Sequence, residues 1–230
     1  MKHRIKALLI IFGCIVVLAA LLMPHIFIGL RSWSLEYAVE RGDAHTVAIL
    51  LSSGANPNLP DDGFPPLMQS LQRRHDDVTY LLLSKGANIN AVGPFGTTPL
   101  LCVDMSNIQL VSYLVQHGAN VNAQNDAGTT ALMIAASDLH NKAVHLLLAK
   151  GARPNAQDKN GQTPLMQAIT SDYSQNQPVQ QGETIKELLN SGSDTTIVDA
   201  HRRDALTLAK KSGRPYVLRL VTGSKHKTIQ

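Results

Sequence analysis

Aromatic residues are scarce in this sequence: Phe, Trp and Tyr together make up 4% of its 230 residues. So few large rings argue against one large globular core and favour an elongated stack built from Leu and Ala. The length leaves room for one membrane segment and one domain of about 190 residues.

Cysteine is nearly absent too, and the residue patterns of common active sites are missing. Two cysteines, Cys14 and Cys102, cannot form a disulfide framework, and we expect Cys102 to be a small buried side chain. The sequence has no phosphate-binding loop, nucleophile elbow or zinc-ligand spacing. His140 and His145 are five residues apart, so they do not share a helix face as metal ligands would. We therefore predict a protein with no catalytic activity, no cofactor and no bound metal.

Acidic residues are missing from both ends of the chain and lie only between Glu36 and Asp204. Of the 21 Lys and Arg residues, four lie in residues 1–31 and two in the C-terminal tail, so 15 remain beside all 17 acidic residues. The middle of the chain therefore has a net charge of −2, and the overall charge of +4 comes from the two ends. This distribution gives no support for a nucleic-acid partner.

One long stretch, residues 7–30, contains no Asp, Glu, Lys or Arg over 24 residues. About 20 apolar residues cross a bilayer as a helix, so the stretch predicts a transmembrane signal anchor. A cleaved signal peptide ending at Val17-Leu18-Ala19 is the alternative, but the apolar run continues beyond it and favours a retained anchor. A lipoprotein site at Gly13-Cys14 fits less well, because Phe12 precedes it.

The charges on either side of this stretch predict its orientation. Residues 1–6 contain three basic residues, whereas Arg31 alone follows the apolar stretch closely. By the positive-inside rule the N-terminus stays in the cytoplasm. The rest of the chain then lies outside the cytoplasm, which for a bacterial inner membrane means the periplasm.

The remainder of the chain repeats two short segments. The first has the pattern Leu-Leu-x-x-Gly-Ala; its glycines are Gly54, Gly86, Gly118 and Gly151, with a less regular copy at Gly192. The alanines after the first four glycines are 32, 32 and 33 residues apart. About twelve residues after each copy comes the second segment, Thr-Pro-Leu or a variant of it, as in Thr98-Pro99-Leu100 and Thr163-Pro164-Leu165.

A period near 33 that pairs these two segments resembles the ankyrin repeat. The resemblance implies an all-α ankyrin repeat solenoid of helix-turn-helix pairs with β-hairpin-like fingers, following one N-terminal transmembrane helix. Thr and Pro suit the start of each first helix. Each second helix ends in two inward-facing apolar residues and a Gly in the left-handed conformation. One unit cannot bury its apolar face alone, so neighbouring units stack.

We predict a cytoplasmic segment (1–6), the anchor (7–30), an ankyrin repeat domain of about six units (32–222) and a disordered tail (223–230). Unit one is the N-terminal cap, and unit six, from about 199, is a basic C-terminal cap with a polar outer face. Unit five carries eight extra residues between its helices, and we predict that the segment holding this insertion, residues 172–182, is a loop. This insertion is either a tolerated surface loop or a binding loop. Units two, three and four cover about 60–91, 92–123 and 124–156.

In ankyrin repeat proteins, partners are held by the fingertips and by the exposed ends of the first helices. Phe64 and Phe95 stand out in a sequence so poor in aromatics, and they are either interface anchors or packing between fingers. Carried over by position, with Tyr173 from the insertion, the predicted partner-binding residues are Asp61, Asp62, Phe64, Arg73, Phe95, Thr97, Met105, Asp126, Thr129, Asp138, Lys159, Asn160 and Tyr173.

The resemblance and the apolar segment together predict a membrane-anchored, non-enzymatic module with a monomeric repeat domain. It would bind an unidentified protein on the extracytoplasmic side. Two alternatives remain. The protein could be an immunity or inhibitor protein that neutralises a toxin or enzyme in the periplasm, or a secreted ankyrin effector if the N-terminal signal is cleaved.

Overall fold

The computed structural model describes residues 35–58, 64–171 and 177–223. These residues form six helix pairs and a short 3₁₀ turn at Pro94–Gly96. In chain order the helices are α1 (35–40), α2 (Ala44–Ser52), α3 (Pro66–Gln72), α4 (Asp76–Ser84), α5 (Pro99–Cys102), α6 (Ile108–Gln116), α7 (Ala131–Ser137), α8 (Asn141–Ala149), α9 (Pro164–Thr170), α10 (Pro178–Asn190), α11 (Ala205–Lys211) and α12 (Pro215–Gly223).

The helices pack in two layers. In the first layer α3 contacts α5, α5 contacts α7, α7 contacts α9 and α9 contacts α11. In the second layer α2 contacts α4, and α8 contacts both α6 and α10, which in turn contacts α12. From unit two onward, each first helix also contacts the second helix of its own unit. The predicted stack of helix pairs is therefore confirmed, and its core runs between the two layers.

The Thr-Pro-Leu segments start the first helices as predicted. The side chains of Thr130 and Thr163 accept hydrogen bonds from backbone N–H groups three residues further on. Pro occupies the first position of α9, where its missing N–H leaves no donor unsatisfied. The leucines of these segments are fully buried and form the inner side of the stack: Leu67, Leu100, Leu132 and Leu165.

The second helices end at glycines in the left-handed region. Gly118 has φ +94°, and the chain turns there so that the backbone N–H of Ala119 donates to Leu114 O at 2.9 Å. A Cβ at Gly118 would meet no neighbouring atom, so the glycine is needed for its conformation alone. The prediction that both apolar residues face inward holds in unit three, where Leu114 and Val115 are buried. In unit four only the first is fully buried: Leu147 is buried, whereas Leu148 is half-buried.

Five-residue fingers connect successive units. Each is closed by a backbone hydrogen bond from its first N–H to its last carbonyl, between 2.8 and 3.2 Å. The fingers of units three to six are residues 93–97, 125–129, 158–162 and 199–203. They are hairpin-like in this bonding, but within the described residues no β-strand is formed.

The predicted loop in unit five is corrected by the structure. Helix α10 begins at Pro178 and contains Gly182, so residues 178–182 are helical. Pro suits the first position of a helix, and the fully buried Gln181 fixes this first turn against its neighbours. Residues 172–176 lie outside the described part of the chain.

Two other predictions concern residues that are not described. The predicted transmembrane segment, residues 7–30, lies before the first described residue, and residues 224–230 of the predicted tail lie after the last. Gly223, placed at the start of the tail, is the last residue of α12. In residues 35–58, 64–171 and 177–223, no helix has both the length and the apolar character needed to cross a bilayer.

Candidate protein-binding surface

An asparagine ladder sets the spacing between units. In each rung the side-chain N–H of an asparagine donates to the carbonyl of the next unit's helix-ending glycine, at 2.9–3.1 Å. The same side chain's oxygen accepts the backbone N–H two residues beyond that glycine, at 2.6–2.9 Å. Two bonds per rung fix neighbouring units in position and rotation. The rungs are Asn58, Asn90, Asn122 and Asn155.

The fingertips are joined to one another in a row. Phe95 O accepts the N–H of Asp126 at 2.8 Å, and the tip of unit four accepts the N–H of Lys159 at 2.9 Å. Asn160 O accepts the N–H of Ala200 at 2.8 Å in the finger of unit six. Four of the predicted site residues therefore lie side by side along one edge of the stack, in the order Phe95, Asp126, Lys159 and Asn160.

Phe95 differs from the rest of this row in its backbone conformation and in being an exposed apolar residue. Its backbone has φ +59°, a left-handed conformation that costs a non-glycine residue about 1–2 kcal/mol. Its side chain is 79% exposed, so packing on neighbouring fingers does not compensate for this cost. Strained, exposed residues of this kind are concentrated at functional sites.

Phe64 is not the equivalent of Phe95 in the preceding unit. Counted back from the start of the first helix, Phe64 occupies the position of Thr97 and Thr129, at the end of the finger. All three residues are half-buried. Their side chains are therefore less available to a partner than that of Phe95.

The ends of the first helices contribute charged residues. Arg73 follows α3, is exposed, and its Nη2 lies 2.6 Å from Glu40 Oε1 of unit one. Burial raises the pKa of Asp138, which follows α7, and the carboxylate of Asp104 in unit three raises it further, while His140 opposes the shift. The surface at these helix ends therefore carries charges of both signs.

The prediction that Met105 is an exposed binding residue is corrected, because the structure places Met105 in the core, with 3% of its surface exposed. Helix α5 has only four residues, and the chain leaves it in an extended conformation at Val103. This shorter path turns Met105 inward, to a buried site like that of Leu139 in unit four. Met105 therefore cannot be part of an exposed binding surface in this conformation.

Three of the predicted site residues lie outside the described part of the chain: Asp61, Asp62 and Tyr173. Within the described part, no group of three or more His, Cys, Asp or Glu side chains is placed to hold a metal ion. Cys102 is half-buried, and burial raises the pKa of its thiol to about 11, which keeps it protonated at neutral pH.

A family model described as "Ankyrin repeats (3 copies)" matches three overlapping parts of the sequence, residues 34–93, 78–158 and 100–177. Together these matches cover more than half of the chain, and they include the ladder and the fingers of units three to five. The chain belongs to the ankyrin repeat family. Ankyrin repeats indicate a protein–protein interaction module, and proteins of this family are generally non-catalytic.

Solved ankyrin repeat structures have the same fold. An ankyrin repeat domain from Acinetobacter baumannii AYE superposes with a TM-score of 0.73 at 23% identity, over 83% of this chain and 97% of that domain. A second ankyrin repeat protein of known structure gives a TM-score of 0.74, also at 23% identity and over the same shares of the two chains. None of the curated proteins matches the sequence significantly. At such identities the similarity establishes the fold alone.

The sequence did not predict two features of the structure, the asparagine ladder and the buried side chain of Gln181. The ladder asparagines recur with the ankyrin period, so a signal for them was present in the sequence. Nothing in the sequence distinguishes Gln181, because it lies in an insertion among other polar residues that predict a loop.

Proposed function

We propose that this protein is a membrane-tethered ankyrin repeat module that binds a partner protein through the row of fingertips and the neighbouring ends of the first helices. The observation that carries the proposal is the exposure of Phe95: the residue is 79% exposed, and its backbone is in the left-handed conformation. Neither exposure nor strain stabilises the solenoid, whereas burial of an aromatic ring in a partner would contribute to binding.

The neighbouring residues give this surface a mixed chemical character. Asp126 and Lys159 are exposed beside Phe95 in the row, and their backbone N–H groups are engaged in the bonds between fingertips. Their side chains therefore project from a fixed backbone. A rigid surface loses little conformational entropy on binding, which suits an apolar anchor surrounded by polar contacts.

Exchange of Phe95 for Ala tests this proposal. Alanine keeps the left-handed strain and removes only the ring, so we expect binding to weaken by about 1–3 kcal/mol while the melting temperature hardly changes. The measurement is the amount of each protein that co-purifies with the full-length chain from its native membranes, quantified by mass spectrometry.

The matched control is Val179→Ala, which removes a side chain that is 67% exposed on α10, away from the fingers. It should leave the co-purified proteins unchanged. If Phe95→Ala lowers the melting temperature and retains every co-purified protein, the ring packs within the protein and the proposed surface is wrong.

The membrane tether is proposed from the sequence. Residues 7–30 lack charged side chains, and residues 1–6 are basic, which supports an anchor with a cytoplasmic N-terminus and repeats on the other side. The full-length protein should resist carbonate extraction and retain residues 1–6. A cysteine introduced at Lys159 should react with a membrane-impermeant maleimide on intact spheroplasts. Recovery of a soluble form that begins near Ala20 would contradict the tether and favour secretion.

A further inference from the structure

A basic pocket lies in the C-terminal cap, beyond the fingertips that carry the proposed function. It has a volume of about 220 Å³ and opens between the ends of α9 and α11. The fully buried Ile169 and Leu208 lie beneath it, and its charged wall comes from Arg203, Lys211 and Arg214. The accessible lining of the pocket therefore carries three positive charges.

Two of these cations are held in place by the fold. Arg203 closes the finger of unit six, and its Nε and Nη2 bind Asp199 at 2.8 and 2.6 Å. Arg214 lies between α11 and α12, and its Nη1 donates to Ile169 O at 3.3 Å. Lys211 is the last residue of α11 and is exposed. Little reorganisation is needed before an anion can bind.

The positive charge of the pocket is only partly balanced. The buried carboxylate of Asp199 pairs with Arg203. Within the described ranges, neither Lys211 nor Arg214 forms an ion pair with an acidic side chain. A concave site lined by charges of one sign concentrates the electric field and attracts ligands of opposite charge.

We propose that this pocket binds an acidic segment of the partner protein and accommodates one of its Glu or Asp side chains. The carboxylate of such a side chain would accept charge-assisted hydrogen bonds from Lys211 and the free donors of the arginines. A nucleic acid fits less well, because the exposed Asp126 and the half-buried Asp138 lie in a neighbouring unit and would repel a chain of phosphates.

This inference rests on the proposed function in one respect, namely that the partner is a protein. It adds a chemical requirement, a segment rich in Glu or Asp that reaches the last unit. The pocket is continuous with the proposed surface, since Arg203 belongs to the last finger of the row.

The test measures fluorescence anisotropy of a short labelled peptide of alternating Glu and Ser, titrated with the full-length chain in a non-ionic detergent at low salt. A peptide with Gln in place of Glu should not bind. Lys211→Glu should weaken binding of the acidic peptide by about tenfold. Lys210→Glu makes the same charge change at the neighbouring position, which does not line the pocket, and should weaken binding by less than about threefold.

Equal weakening by both substitutions would show a diffuse attraction and overturn the pocket as the site. Binding of a single-stranded oligonucleotide as tight as that of the peptide, with the same sensitivity to Lys211→Glu, would replace the acidic segment with a nucleic acid. Absence of binding by the Glu peptide would also overturn the inference. Phe95→Ala should leave peptide binding unchanged. The two proposals can therefore fail separately, because Phe95→Ala tests capture of the partner and Lys211→Glu tests binding of the peptide.

Discussion

Units four and five have nearly the same first helix and differ in the turn that follows it. Thr130 and Thr163 make equivalent cap bonds, and Leu132 and Leu165 are buried in equivalent positions. In unit four the chain passes directly into α8. In unit five it leaves α9 at Ser171 in an extended conformation and enters a longer second helix.

The turn of unit four satisfies the end of α7 with its own backbone. Leu139 N–H donates to Ala136 O at 3.4 Å, and His140 N–H donates to Ala135 O at 2.9 Å. Leu139 adopts φ +59° to bring these groups into position. The last carbonyls of the helix are thus paired within the turn, as the ends of helices require.

Unit five pairs the equivalent carbonyls with a side chain. They belong to Ala168 and Ile169, and Nε2 of Gln181 donates to both, at 2.7 and 3.2 Å. The oxygen of the same amide accepts a hydrogen bond from the hydroxyl of Tyr216. One buried amide therefore replaces two backbone N–H groups and ties unit five to unit six. An insertion in an ankyrin turn thus requires a substitute donor as well as space.

The largest expected effect comes from removing that donor. Gln181→Leu keeps a similar volume but removes the donor to Ala168 O and the acceptor of the Tyr216 hydroxyl. It also leaves Ile169 O with only the 3.3 Å bond from Arg214 Nη1. Because each buried unsatisfied group costs about 1–3 kcal/mol, we expect the free energy of unfolding to fall by about 2–4 kcal/mol. Urea unfolding followed by circular dichroism measures the change.

The control is His140→Leu at the equivalent position of unit four. There the backbone makes the bonds, so the loss should be about 1 kcal/mol or less. Similar losses from the two substitutions would mean that Gln181 does not replace the turn.

A smaller effect is expected from the ladder, which is the same on both sides of the comparison. Asn122 joins units three and four, and Asn155 joins units four and five, each through two hydrogen bonds. Either substitution by Ala should cost about 1–2 kcal/mol in the same urea experiment. The two losses should agree within about 0.5 kcal/mol. A clearly smaller loss for Asn155→Ala would show that the irregular unit weakens the ladder.

The smallest effect concerns charge at the two turns. Unit four has Asp138 where unit five has Ser171. The pKa of Asp138 is raised, chiefly by burial, so ionisation disfavours the folded state, and this penalty grows as the pH rises through the carboxyl's pKa. Asp138→Asn should therefore raise the free energy of unfolding at pH 7 by a few tenths of a kcal/mol, a small gain because the group is partly exposed.

Measured as the midpoint of thermal unfolding, the gain should disappear near pH 3, where Asp138 itself is protonated in both states. A gain of the same size at both pH values would assign the effect to something other than the charge.

The sequence predicted the regular parts of this fold because those parts depend on local chemistry. Thr163 caps a first helix and Gly118 ends a second helix, and these roles recur in other units, so their spacing was enough to predict the stack even though Thr98 makes no cap bond. The role of Gln181 could not be predicted, because it depends on backbone carbonyls at the end of α9 that need a hydrogen-bond donor. Met105 was misplaced for a similar reason: unit three has one residue fewer than unit four between its two helices, and this changes which side chain turns inward.

The candidate surface was predicted in part. Phe95 was singled out from composition, and the structure adds its left-handed backbone and its place in the row of fingertips. Phe64 was grouped with it only because both are aromatic and close to a finger. The basic pocket was not predicted, because Ile169 and Arg214 are 45 residues apart and meet only through stacking of units five and six.

The most direct test of the proposed function is site-specific photocrosslinking in intact cells, with a photoreactive phenylalanine analogue at position 95 of the full-length chain. The same analogue at position 179 serves as the comparison, since both native side chains are largely exposed. We predict that position 95 forms a discrete covalent adduct with another protein and that position 179 does not. An adduct at position 179 with none at position 95 would contradict binding through the fingertips.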